Sequence, residues 1–173
     1  QVSVLEERDS FMEVCKALMV PGGRFDFWAD LAPHQIEQLR ALYWAQVEAG
    51  MKGQVSKSVF VDKLPLNAVM LPVIHRLFPT ARIILALRDP RDAVLSAFQQ
   101  RFGMNAAMFQ MLRLDTAAGY YDKVFSLVRL CCERLPLHVY RIRYEDLVAD
   151  FDGQVAGLLS FMGLGWDDNV RNY

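Results

Sequence analysis

Residues 83–96 read IILALRDPRDAVLS, an apolar run set directly against two arginines, two aspartates and a serine. An arginine that leaves the carboxyl end of a buried strand can grip a phosphate in bidentate fashion. Arg88 occupies that place, and Asp89 and Pro90 follow it as a helix cap and a first helical residue. In a parallel α/β sheet, ligands bind beyond the strand carboxyl ends, where helix N-termini converge. Ser96, about two turns into the expected helix, can add a hydroxyl from the side. The competing reading is structural: Arg88 clasps Asp89 or Asp92, and Ser96 is a small packing residue.

The elements that must position this stretch alternate along the chain. VSVL (2–5) is a short strand, and an amphipathic helix over about 9–19 stops at Pro21-Gly22-Gly23. Pro33 opens a long helix that runs to about Ala49 and is ended by Gly50. SVFVDK (58–63) is the next strand, and a helix kinked or begun near Pro72 leads into the strand ARIILAL (81–87). A helix from Pro90 reaches about Arg101, and a weaker one covers about 104–112. A long helix through Arg134 carries Tyr120, Val124, Leu127, Val128 and Cys131 at core spacing. LHVYRIRY (137–144) is a strand, YEDLVAD a turn and GQVAGLLSFMGL a last helix. Strands separated by helices predict a parallel sheet covered on both faces. Val139, Arg141 and Arg143 alternate along the last strand, which predicts a partly polar face or a place near a sheet edge.

Composition narrows the function classes. At 173 residues and 53% apolar content the chain suits one domain, and such a domain buries about 70% of its unfolded surface. Its 19 basic and 20 acidic residues give no general pull toward nucleic acid or an anionic membrane, so any anion site must be local. No apolar run reaches the roughly 20 residues of a membrane span, and no signal-peptide pattern opens the sequence. The three cysteines, Cys15, Cys131 and Cys132, have no metal spacing and are expected to be reduced, in a cytoplasmic setting. His34, His75 and His138 lack a zinc signature, so no metal is expected.

VDKLPLNAVMLPVIHRLFPTARIILALRDPRDAVLSAFQQRF, then VYRIRYEDLVAD and LLSFMGLGWDD, resemble the sulfotransferases that use 3′-phosphoadenosine 5′-phosphosulfate (PAPS). The similarity is to the bacterial type often fused to tetratricopeptide repeats, related to tyrosylprotein sulfotransferases, and it runs from about Val2 to Asp168. It implies a P-loop NTPase-like three-layer α/β fold, with a central parallel β-sheet flanked by helices. It also implies transfer of a sulfuryl group to a hydroxyl acceptor, which could be a peptide tyrosine, a glycan or a small alcohol.

By the same resemblance Arg88 and Ser96 hold the cofactor 3′-phosphate, and Tyr144, which opens YEDL, lies near the cofactor. Lys63 is placed near the bridging oxygen of the sulfuryl group, where a cation stabilises charge on the departing phosphate. Glu7 matches the general base that takes the acceptor proton. For these last two the competing readings are an exposed strand-end lysine and a solvated acid. Glu145 and Asp146 are expected to cap the turn that follows Tyr144. Phe25, Phe27 and Trp28 could line an acceptor groove or merely cover the core.

The family's loop of P-R-S-G-T-T type, whose backbone N–H groups cradle the 5′-phosphosulfate, is not in this sequence. The expectation is therefore that residues 1–173 are a fragment of one sulfotransferase domain, lacking that loop and a C-terminal closing segment. As such the chain is expected to be incomplete in its sheet, to associate with other chains and to have little activity alone. Two other classes remain open. A P-loop kinase-like phosphotransferase would need a G-x-x-x-x-G-K-[ST] element that is not found here, and a non-catalytic binding module would tolerate loss of Arg88 or Lys63.

Overall fold

The computed structural model describes residues 2–18, 30–51 and 59–172. The Pro21-Gly22-Gly23 turn and the aromatic residues Phe25, Phe27 and Trp28 lie outside the described residues. The chain divides into two compact units, Gln1–Pro79 and Thr80–Tyr173.

In the first unit, strand β1 (Val2–Glu6) is followed by helices α1 (Met12–Leu18) and α2 (Pro33–Met51), and then by strand β2 (Val59–Lys63). Helix-bearing connections of this kind are what parallel pairing requires. β1 and β2 do pair in parallel, with Val2 opposite Val59 and Glu6 opposite Lys63. Leu39, Tyr43 and Val47 recur at every fourth position of α2 and form its buried stripe. They meet Leu5 of β1, Phe11, Val14 and Leu18 around α1, and Val73 and Leu77 of helix α3 (Leu71–Leu77) in one apolar cluster. The rings of Phe11 and Phe78 stand 4.7 Å and 5.0 Å from that of Tyr43.

α2 runs to Met51, one residue past the glycine expected to end it. A Cβ at Gly50 would come within 2.9 Å of the tip of the Leu5 side chain, Cδ1. Of the two expectations for Pro72, a kink or a helix start, the structure shows the start: α3 begins at Leu71, after a 3-10 turn over Pro65–Met70.

The second unit repeats the alternation. Strand β3 (Arg82–Leu87) leads into α4 (Pro90–Gln99), a 3-10 turn (Met108–Leu112), α5 (Leu114–Arg134), strand β4 (His138–Arg143), α6 (Tyr144–Ala149) and α7 (Phe151–Met162). β3 and β4 are parallel, with Arg82 opposite His138 and Leu87 opposite Arg143. Val128 and Cys131 of α5 are buried as their spacing predicts, together with Ala117, while Tyr120, Val124 and Leu127 are half-buried. On β4, Ile142 is buried and Arg141 and Arg143 are exposed, the polar face expected for this strand.

α7 ends at Gly163, whose φ of 74° allows Leu164 to donate to the Leu159 carbonyl. Arg82 donates to the Met162 carbonyl at 2.6 Å, placing a cation at the negative end of that helix. The α/β character with parallel strands is as the sequence predicts, and among the described residues the strands pair as β1 with β2 and β3 with β4. No helix among the described residues is long and apolar enough to cross a membrane.

Candidate functional site

In the first unit the candidate groups stand at the carboxyl ends of β1 and β2. Because Glu6 and Lys63 are paired in register, the residue after each strand arrives at the same edge. Glu7 donates its backbone N–H to the Lys63 carbonyl at 2.8 Å and turns off the strand with φ at 53°, a left-handed conformation uncommon for a non-glycine residue. That turn aims its carboxylate back at Lys63. Lys63 Nζ lies 2.9 Å from Glu7 Oε1 and 3.1 Å from Glu6 Oε1, and the three side chains are exposed. The hydrogen bonds to Glu7 and then Glu6 raise the lysine pKa above its ordinary value. Lys63 is therefore cationic throughout the neutral range, but it is paired rather than free.

The sequence does not reveal what lies behind the lysine. Asp62 precedes it on β2, and successive strand residues face opposite ways. The Asp62 carboxylate is held by three donors: the Ser10 hydroxyl, the Tyr43 hydroxyl at 3.0 Å and the Asn67 amide at 3.2 Å. Ser10 is 1% exposed and Tyr43 5%. Burial, and secondarily the Asp62 charge, pushes the Tyr43 phenol far above its usual range, so it remains a donor. Ser10, Tyr43 and Asn67 reach Asp62 from three segments spread over more than fifty residues, so no short pattern announces the cluster.

In the second unit Arg88 and Tyr144 are the first residues beyond the paired positions Leu87 and Arg143. They step off β3 and β4 side by side, and the Arg88 guanidinium stacks over the Tyr144 ring at 5.3 Å. Of the two structural clasps the sequence allows, neither is tight. Asp89 is taken by Arg91, in a two-pronged pair at 2.7 and 3.0 Å, and also accepts the Arg91 backbone N–H as the cap of α4. Arg91 holds the Asp89 carboxyl well below the usual carboxylate range. Among the described residues Arg88 pairs only with Asp92, at 3.7 Å, and its side chain is 46% exposed. Ser96 lies four residues past Asp92 on α4, one turn further along the helix face toward which Arg88 points, and is half-buried.

The structure therefore brings Glu7 together with Lys63, and Arg88 together with Tyr144, on the face where Ser96 follows. Glu145 Oε1 accepts the backbone N–H of Asp89 at 2.7 Å and so ties the YEDL turn to the RDP turn, while the carboxylate also interacts with its own backbone N–H at the start of α6. Both turns were legible in the sequence, but their link spans 56 residues. Among the described residues no group of three or more His, Cys, Asp or Glu is placed to hold a metal ion.

A sequence profile of the sulfotransferase family matches residues 12–168, a stretch that includes Lys63, Arg88, Ser96 and Tyr144 and leaves Glu7 outside. The omega-hydroxy-beta-dihydromenaquinone-9 sulfotransferase of Mycobacterium tuberculosis is 29% identical over 119 residues, which are 63% of this chain and 30% of that protein. An uncharacterized protein of Aquifex aeolicus is 27% identical over 114 residues, 65% of this chain and 15% of the other. A candidate protein-tyrosine sulfotransferase of Caenorhabditis briggsae is 23% identical over 115 residues, 65% of this chain and 39% of the other. The chain thus spans well under half the length of each of these relatives. With the profile covering most of its length, the chain belongs to the sulfotransferase family.

Proposed function

We propose that residues 1–173 belong to one sulfotransferase domain of P-loop-like three-layer α/β architecture, which transfers a sulfuryl group from PAPS to a hydroxyl acceptor. The observation that carries this reading is the state of Arg88. It is a strand-end guanidinium just before α4, 5.3 Å over the Tyr144 ring, and among the described residues its one ion-pair partner is Asp92 at 3.7 Å. An arginine so oriented and so loosely paired is ready for an anionic ligand. The residues present fit a 3′-phosphonucleotide: Arg88 and Ser96 would hold the 3′-phosphate, and the Tyr144 ring would lie beside it.

The bound donor would supply an activated sulfuryl group. Lys63 would bear on the negative charge that develops on the departing phosphate, and its raised pKa keeps that charge available at neutral pH. Glu7 would accept the acceptor's proton at a carboxylate oxygen; its left-handed backbone and its contact with Lys63 fix where that oxygen stands. The mycobacterial and nematode relatives are named for a hydroxylated menaquinone and for protein tyrosine. Their shared chemistry, a hydroxyl acceptor, is what we carry to this chain.

Calorimetric titration of the chain with adenosine 3′,5′-bisphosphate, wild type beside Arg88→Ala, tests the reading. Loss of a charged bidentate contact should weaken binding by about tenfold or more. Equal affinity of the two proteins would sink it.

A further inference from the structure

We propose that Glu145 is a positioning residue that sets Arg88 for its phosphate by clamping the RDP turn from the neighbouring strand end. The inference rests on the reading of Arg88 as the 3′-phosphate ligand. Among the described residues Arg88 has no ion-pair partner nearer than 3.7 Å, and its side chain is half exposed. Its direction must come from the backbone that carries it and from the Tyr144 ring beneath it. The backbone on its C-terminal side is fixed by a charge-assisted hydrogen bond, in which Asp89 donates its N–H to Glu145 Oε1 at 2.7 Å.

The geometry follows from strand register. Leu87 and Arg143 are opposite one another on parallel β3 and β4, so the next two residues of each chain lie within reach of the other. The first of these makes the Arg88–Tyr144 stack and the second makes the Asp89–Glu145 hydrogen bond. Two successive stitches therefore close the gap between the strand ends, and together they leave a guanidinium few ways to turn.

The remaining oxygen of Glu145 supports a role beyond ordinary capping. Oε2 is itself shielded and makes no hydrogen bond among the described residues, although the side chain as a whole is 40% exposed, and Arg143 Nε stands 3.6 Å away as its ion-pair partner. An acceptor oxygen left without a hydrogen bond calls for an explanation, and the hold of Oε1 on Asp89 supplies one. The Asp89 hydrogen bond draws the carboxyl below its ordinary pKa, so the clamp is ionised at neutral pH.

The test compares wild type, Glu145→Ala, Glu145→Gln and Arg88→Ala by titration with adenosine 3′,5′-bisphosphate and with adenosine 5′-monophosphate, alongside amide hydrogen exchange at Asp89. Glu145→Ala is expected to lose about tenfold or more of the affinity added by the 3′-phosphate, to keep its affinity for the monophosphate, and to exchange the Asp89 amide faster. Glu145→Gln retains an acceptor oxygen and should restore most of both, which a loss of general stability would not do. Should Glu145→Ala fail to fold, Glu145→Asp, one methylene too short to reach, takes its place. If Arg88→Ala abolishes the 3′-phosphate preference while Glu145→Ala leaves it intact, the positioning role alone falls. If wild type binds both nucleotides equally and Arg88→Ala changes nothing, the nucleotide reading falls and takes the positioning role with it.

Discussion

The two units hold their charged side chains by different means. In Gln1–Pro79, Lys63 stands beside Asp62, whose carboxylate is anchored by Ser10 and Tyr43 within the apolar cluster of α1, α2 and α3. In Thr80–Tyr173, Arg88 is directed by contacts at the rim: the Tyr144 ring, the Asp89–Glu145 hydrogen bond and a distant Asp92. Among the described residues, eleven apolar residues are buried in the first unit and four in the second, while Leu95, Phe98, Phe102, Met104 and Phe109 of the second are exposed. A side chain tied to a core inherits the stability of that core. One tied to strand ends is directed by a few bonds at the rim, and loss of those bonds should cost the fold little.

The largest effect that would sharpen this contrast is a core truncation. Leu77 is 1% exposed, and Leu77→Ala should cost about 2–5 kcal/mol in urea unfolding. Ile142, at 8% and among fewer buried neighbours, should fall at the low end of that range when cut to alanine. Equal losses would break the comparison. Next in size is Asp62→Ala, which strands three donors and should destabilise by about 2–3 kcal/mol, whereas Lys63→Ala on the exposed side should leave the unfolding midpoint unchanged. A matching loss from Lys63→Ala would show that the ion pairs, and not the Asp62 cluster, secure the strand end.

The smallest effect concerns acid. Glu145 and Asp89 have folded-state pKa values below their unfolded ones. Their contribution is therefore present above the ordinary carboxylate values of about 4 and is lost as pH falls through the lower folded values. Lys63 is shifted the other way: its contribution is present below the ordinary lysine value of about 10.4 and is lost only as pH rises past it. Thermal melts of wild type and Glu145→Gln should differ at pH 7 and converge toward pH 3. A gap that persists unchanged in acid would mean that the carboxylate charge of Glu145 does not contribute.

Local chemistry alone determined much of this protein. The alternation of strands and helices, the Asp89 cap with Pro90 behind it, and the place of Arg88, Lys63 and Tyr144 at strand ends all follow from hydrophobic period and turn residues within a few positions of each other. The end of α2 at Met51, beside Gly50, was legible in the same way, whereas the packing of the Leu5 side chain against that glycine is tertiary. Tertiary structure decided whatever depended on partners distant in the chain. Ser10 and Tyr43 meet on Asp62 through the packing of the first unit, and Glu6 and Glu7 share Lys63 and Glu145 reaches Asp89 because parallel register brings together strand ends that the intervening helices keep apart in sequence. Register is a property of a pair of strands, and it is legible in neither strand alone.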